Sequence, residues 1–295
     1  MKPNASNRGL WPWASLSPLL LFYAVLTLLP VLNLMYMSTE ELLWVDGQAQ
    51  STWVGMAHWR AVADDGVYLD GLRNTLWFAV VSVSLQMVLG FGLALAVTRV
   101  RRGGHIYRMV FLLPILMPGI VIGAIWKLMY DADFGVINQM LGLLNIAPQD
   151  WTGSRALAMP SIIVVDVWHW TPFVFLLMLA GLESLPQDVF EAARVDGTPW
   201  WRELLHITLP LMLPTLIVTL VFRTVLAFKV FDEIYLLTSG GPGTATEVIS
   251  FSIFRNFFVQ GRVGYGAALS LVTLSLIALC ILTALQLQAR LKERP

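Results

Sequence analysis

Six stretches of this chain are long and apolar enough to cross a hydrocarbon core of roughly 30 Å. They lie near residues 17–37, 75–98, 107–130, 158–180, 211–232 and 265–288. Lipid offers backbone N–H and C=O groups no partner, so each stretch must satisfy its own, which a single segment does only as a helix. Charged residues make up 13% of the 295, against about 25% in soluble domains, and the mean hydropathy is +0.69. The expectation is an all-α integral membrane protein, six transmembrane helices in one domain spanning 1–295. The first stretch follows Lys2 and Arg8 as a signal peptide would. Its apolar part is too long for one and no small-residue cleavage site follows, so it is expected to remain as the first span.

Orientation follows from Lys and Arg, which concentrate in cytoplasmic segments near span ends. With both ends inside, the inner segments hold eleven: Lys2, Arg8, Arg99, Arg101, Arg102, Arg108, Arg194, Arg202, Arg290, Lys292 and Arg294. The outer loops hold five: Arg60, Arg73, Arg155, Arg255 and Arg262. Both termini are therefore expected in the cytoplasm. The outer loop 38–71 carries Glu40, Glu41, Asp46, Asp64, Asp65 and Asp70, with Trp44, Trp53 and Trp59. It is read as holding a short interfacial helix whose tryptophans anchor at headgroup level, contact with an external protein being the alternative.

Several functions are disfavoured. The formal net charge is zero at a pI near 6.9, which gives no electrostatic case for nucleic acid. His58, His105, His169 and His206 are too scattered for a metal site, and Cys280 alone forms no internal disulfide. A phosphate-cradling loop needs Gly-Lys-Ser or Gly-Lys-Thr. None of Lys2, Lys127, Lys229 and Lys292 follows a glycine. The chain is expected to be no ATPase and to hold no cofactor of its own, so any ATP driving it would bind a separate polypeptide.

Between the fourth and fifth stretches, residues 184–210 form the most patterned segment. Ser184-x-x-Gln187 has the spacing of a capping box that starts a helix, and Gly197 suits that helix's end. Thr198 and Pro199 suit the start of a second helix, with Pro210 and Pro214 stopping or kinking it where the chain re-enters the bilayer. Gln187, Glu191 and Val195 share one face of the first arm, with Ala192 and Ala193 offering small packing surface. The bland reading is an amphipathic hairpin anchored by Trp200 and Trp201, in which Glu191 pairs with Arg194 and Asp196 is a turn residue.

The spacing Glu191-Ala192-Ala193, three residues, Gly197, nine residues, Ile207, one residue, Leu209-Pro210 resembles the EAA loop of permease subunits of binding-protein-dependent ABC importers. Its wording, EAARVDG through WRELLHITLPLMLP, is most similar to their carbohydrate branch, of the maltose, glycerol-phosphate and polyol type. The resemblance extends through Phe231-Asp232-Glu233-Ile234-Tyr235 and the run Gly240-Gly241-Pro242-Gly243, over about 106–288. It implies a cytoplasmic helix-turn-helix coupling loop in which Glu191, Ala192, Ala193, Asp196, Gly197, Ile207, Leu209 and Pro210 meet an ATPase cleft. It also implies two ABC ATPase subunits that bind ATP and Mg, a second permease subunit, expected as a homologue, and an extracytoplasmic solute-binding protein. The setting implied is a bacterial or archaeal plasma membrane, the inner membrane in a Gram-negative cell. The large outer domain of the maltose-type permease has no counterpart here.

Ionisable residues inside spans are costly and so are functional candidates. Asp166 and Arg223 lie about eight and nine residues below the outer ends of the fourth and fifth spans, roughly 12 and 13 Å deep. They are expected to face the bundle interior, as a pair or toward solute, with Lys229 and Asp232 higher in the same cavity. Trp168, Trp170 and Phe228, with His169, Thr171 and Phe231, offer the flat apolar faces and hydrogen-bonding groups that sugars use; helix packing is the alternative for each. Pro114, Pro118 and Pro172 are expected to kink their helices, and the Gly240–Gly243 run to make a tight turn. The function these readings imply is the permease subunit of a sugar or polyol importer. A self-sufficient secondary transporter or channel is the rival, needing inverted repeats or an ionisable relay of its own. A membrane-embedded enzyme finds no supporting nucleophile and base.

Overall fold

A computed structural model describes residues 11–45, 48–100 and 104–292. Lys2, Arg8, Asp46, Arg101, Arg102 and Arg294, used above to set orientation and loop charge, lie outside the described residues. The chain divides into two compact units, residues 1–64 with 253–274 and residues 65–252 with 275–295.

In the first unit, α1 (Trp11–Met37) precedes an antiparallel hairpin, β1 (Glu40–Val45) and β2 (Gln48–Trp53), and a short helix α2 (Ala57–Asp64). The side chains of α1 from Ser15 onward are almost all exposed and apolar. The pairing runs from Glu40 opposite Trp53 to Val45 opposite Gln48, so the fold is predominantly helical rather than wholly so. The short helix expected in this loop is present as α2, but the segment before it is strand. Ser51 donates to a Glu40 oxygen at 2.6 Å, which holds that carboxyl below the usual carboxylate range. Trp59 Nε1 donates to Ser38 Oγ at 3.2 Å, tying α2 back to the end of α1.

The second unit is built around α3 (Gly66–Thr98), α7 (Ala158–Glu183) and α10 (Leu209–Ala227). Without a hydrophobic drive between helices in lipid, association depends on close van der Waals approach at small residues. Gly90 supplies it between α3 and α7: a Cβ there would stand 2.7 Å from Val174 Cγ1. Gly181 does the same against Thr215 and Met212 of α10. The core between them is Ala94, Val97, Val174, Phe175, Met178, Leu179 and Met212.

The stretch 107–130 is not one helix. It is split into α4 (Gly104–Leu112), a 3-10 turn at Pro114–Leu116 and α5 (Gly119–Met129). Pro114 and Pro118, four residues apart, each remove a backbone donor, and the helix breaks across them instead of kinking. Pro172, by contrast, sits inside an uninterrupted α7. Among the described residues, five helices are long and apolar enough to cross a membrane, within Ser15–Met37, Gly66–Thr98, Ala158–Glu183, Trp200–Leu237 and Val263–Thr283; α5 is apolar but short.

Outside the long helices, α6 (Val136–Leu143) lies in the loop that follows α5. Buried Asn138 organises this loop, donating to Ala132 O and Gln149 O and accepting from Gln149 N and Trp151 Nε1. Beyond α10, α11 (Asp232–Leu237) packs on α5, where Gly119 faces Asp232 and Gly123 faces Leu236. The Gly240–Gly243 run makes the expected turn, with φ of +84° at Gly240 and +62° at Gly243. Asn74 of α3 holds the chain that follows by donating to Thr244 O and Glu247 O, both at 2.9 Å. The sequence then continues through α12 (Ile249–Phe254), a π turn at Arg255–Val259, and α13 (Val263–Lys292).

Candidate functional site

The loop between α7 and α10 contains α8 (Gln187–Val195) and α9 (Trp200–Glu203). Its beginning differs from the sequence expectation. The Ser184 hydroxyl donates to Gly181 O at 2.7 Å and its N–H to Ala180 O. Ser184 thus closes α7 and caps nothing in α8, because Pro186 stands between them in extended geometry and serves as the cap position of α8. Asp188 in the first turn of α8 complements the exposed N–H groups there.

The end of α8 is as its glycine suggests. Gly197 has φ +66°, a conformation that costs an L side chain roughly 1–2 kcal/mol. Its N–H donates to Arg194 O at 3.1 Å and that of Thr198 to Ala193 O at 2.9 Å, the paired bonds of a Schellman stop. A Cβ at Gly197 would meet nothing within 4 Å, so backbone conformation, not space, calls for glycine. Ala193 is buried, whereas Glu191, Ala192, Asp196 and Gly197 are exposed and Val195 stands 87% exposed. No ion pair joins Glu191 to Arg194 among the described residues.

The second arm does not stop at Pro210. A π turn, Leu204–Thr208, carries α9 directly into α10, with Pro210 in the first turn of α10 and Pro214 inside it. The wider turn is closed by Leu209 N–H donating to Leu204 O, and Pro210 supplies no donor to the turn that follows. Ile207 and Leu209 are half-buried along this passage. Arg202 lies over the Trp201 ring at 4.9 Å and Arg99, the residue that follows α3, over Trp200 at 5.8 Å.

Deeper in the second unit, the terminal Nη2 of Arg223 reaches both oxygens of Asp166, at 2.8 and 2.7 Å. Each residue is 1% exposed. Gln86 Nε2 of α3 donates to Asp166 Oδ2 at 2.8 Å and to Asp166 O at 3.1 Å. The Arg223 guanidinium lies 4.8 Å from the Trp170 ring centre. One buried cluster therefore joins α3, α7 and α10. Arg223 Nε and Gln86 Oε1 are buried within it without a partner. Beside it, His169 Nδ1 and Glu233 Oε1 stand 3.2 Å apart, both side chains 6% exposed.

These groups open on a cavity of about 210 Å³ whose lining includes Asp166, His169, Trp170, Lys229, Asp232 and Glu233. Phe231 and Gly119 complete one wall. Asp166, Trp170, Lys229 and Asp232 are thus brought together, with Arg223 directly behind Asp166. Trp168 and Phe228 are not. Trp168 faces away, edge-on to Trp126 at 5.8 Å, and lines an apolar groove with Thr171 and Pro172. Phe228 is buried in packing. Two members went unread in the sequence as site residues, Gln86 and Glu233. Gln86 is an uncharged polar side chain inside an apolar run and Glu233 a charge just beyond one, so neither carries the signal of an ionisable residue within a span that picked out Asp166.

A bundle of apolar helices with a sharp helix-turn-helix loop feeding one span, and a polar cavity behind that span, is the architecture of a multi-span transport component. Residues 86–293 match the family described as binding-protein-dependent transport system inner membrane component, and the chain belongs to that family. It is 38% identical over 260 residues, covering 88% of this chain and 87% of that protein, to the trehalose/maltose transport system permease protein MalF of Thermococcus litoralis. It is 32% identical over 266 residues to the sulfoquinovosyl glycerol transport system permease protein SmoG of Agrobacterium fabrum, covering 90% and 86%. Its fold matches a chain in the crystal structure of a bacterial alginate ABC transporter in complex with alginate pentasaccharide-bound periplasmic protein, with a TM-score of 0.83, 22% identity, and 97% and 96% of the two chains covered. The reading as a self-sufficient transporter or channel gives way to membership in this family.

Proposed function

We propose that this chain is the permease subunit of an ABC importer for a sugar or polyol, and that the loop 184–210 is where separate ATPase subunits grip it. The observation that carries the reading is α8. It is a short, exposed helix stopped at Gly197, followed by an arm continuous with α10, so force applied to the loop reaches Arg223 through one rod. Glu191, Ala192, Asp196 and Gly197 form its outward surface, and Ile207, Leu209 and Pro210 its junction with the span.

In this reading the chain is one membrane domain over 1–295, its sixth crossing made by the broken segment from α4 to α5. Both termini face the cytoplasm of a bacterium or archaeon. A second permease, expected as a homologue, completes the path, and an extracytoplasmic binding protein delivers solute. Two ATPase subunits hold ATP and Mg and close on each other, exchanging outward and inward openings. No hydrolytic step falls to this chain. The cavity beside Asp166 and Trp170 offers donors, acceptors and an aromatic edge to hydroxyl-rich solute, with Lys229 and Asp232 at its rim. The relatives named for trehalose, maltose and sulfoquinovosyl glycerol support that solute class.

Reconstitution in vesicles with the two ATPases, the second permease and the binding protein tests the whole. Labelled sugars should accumulate only with ATP and all partners present. Uptake at full rate by this chain without the ATPase subunits would overturn the proposal.

A further inference from the structure

Distinct from the polar cavity, a cleft of about 350 Å³ is walled by the ends of α3 and α7, by Arg108 of α4 and by both arms of the loop. Its charged lining is Arg99, Arg108 and Arg194 against Glu183 and Glu203, one positive charge in surplus. Arg108 is already paired with Glu183, and its Nε is buried with no hydrogen-bond partner. Arg99 lies over the Trp200 ring. Much of the remaining wall, including Leu95, Leu182, Phe190 and Leu204, is apolar.

Three features set what such a cleft takes. It lies where two spans end, at the boundary of the hydrocarbon, and indoles such as Trp200 settle at that level. Its arginines supply planar donor forks matched to phosphate oxygens. Its apolar wall suits the glycerol and first methylenes of an acyl chain. We propose that this cleft binds the phosphate headgroup of an anionic phospholipid, one per chain. Basic pockets between membrane helices on the cytoplasmic side hold such headgroups. The proposal rests on the functional reading above only in placing the cleft at the cytoplasmic leaflet.

The test uses the full chain, delipidated in neutral detergent, with native mass spectrometry counting retained lipid. Phosphatidylglycerol should be retained in preference to phosphatidylcholine, at one molecule per chain. Each arginine near an anionic headgroup contributes about fivefold in affinity, so Arg99→Gln should weaken retention about fivefold and Arg99→Gln with Arg194→Gln about 25-fold. Both side chains are exposed, so these variants should fold; Arg60→Gln, elsewhere on the chain, should leave retention unchanged. Equal retention of phosphatidylcholine, or undiminished phosphatidylglycerol in the double variant, would overturn the proposal. Displacement of the lipid by inorganic phosphate would assign the arginines to a free anion, and its expulsion by added ATPase subunit would assign them to that partner; either outcome also overturns it. No transport is measured, so failure here leaves the import reading standing, and failure of ATP-driven uptake leaves this one standing.

Discussion

Replacing Arg223 with methionine removes the guanidinium that reaches both Asp166 oxygens and leaves the stem's packing largely intact. Asp166 is 1% exposed, and its remaining side-chain partner is Gln86 Nε2. Removing one member of a buried ion pair costs about 3–5 kcal/mol, because the other charge stays desolvated. Replacing both members by apolar residues of similar volume is close to neutral or stabilising. Arg223→Met should therefore lose about 3–5 kcal/mol, and Asp166→Leu combined with Arg223→Met should recover most of it. Equilibrium unfolding in mixed micelles, followed by tryptophan fluorescence, reads both. ATP-driven uptake by the refolded double variant then separates the two roles of the pair: recovered stability with lost uptake assigns the charges to the solute path, and recovery of both assigns them to architecture. An Arg223→Met variant as stable as the parent would refute the argument, since no buried pair could then be sustaining the junction of α3, α7 and α10.

Three further substitutions address other parts of the molecule. Gly197→Val places a β-branched side chain at φ +66° and should cost about 1–2 kcal/mol or more, reducing solute-stimulated ATPase activity of the assembled transporter while leaving each subunit's expression intact; unchanged stimulation would count against the loop's role. Gly90→Val pushes a side chain into Val174, where the Cβ alone stands 2.7 Å away, and should destabilise the α3–α7 contact by about 1–3 kcal/mol in the same unfolding assay. Asn138→Ala strips the four side-chain bonds to Ala132, Gln149 and Trp151, so residues 131–157 should exchange amide hydrogens faster while the long helices do not.

The apolar runs marked out the long helices because a bilayer leaves a single segment little choice but helix. The break at Pro114–Leu116 was harder to read: prolines in membrane helices are tolerated as often as not, and Pro172 in an unbroken α7 shows the same residue with the opposite outcome. Two neighbouring rules competed at Ser184, which satisfies a capping-box pattern yet bonds backward to Gly181, because Pro186 already fixes where α8 begins. The hairpin went unread because Glu40–Val45 shows little alternation, although Asp46-Gly47 is a favoured hairpin dipeptide. In the cavity, averaging over an apolar window concealed the uncharged Gln86, while the full charges of Asp166 and Arg223 survived the average; Glu233 falls one residue beyond the stretch 211–232, where a charge draws no notice. The placements of Trp168 and Phe228 depend on helix rotation, which aromatic content alone does not set.

Because α9 passes into α10 with no joint of loose chain between them, Trp200 and Arg223 stand on one continuous helical arm whose length along the helix is about 35 Å at the helical rise. A rod pivoting at its foot sweeps its far end by about 0.6 Å for each degree over that length. A tilt of a few degrees at the bilayer surface would therefore carry the Arg223 guanidinium further than a hydrogen bond can stretch, and Asp166 would have to travel with it or let go.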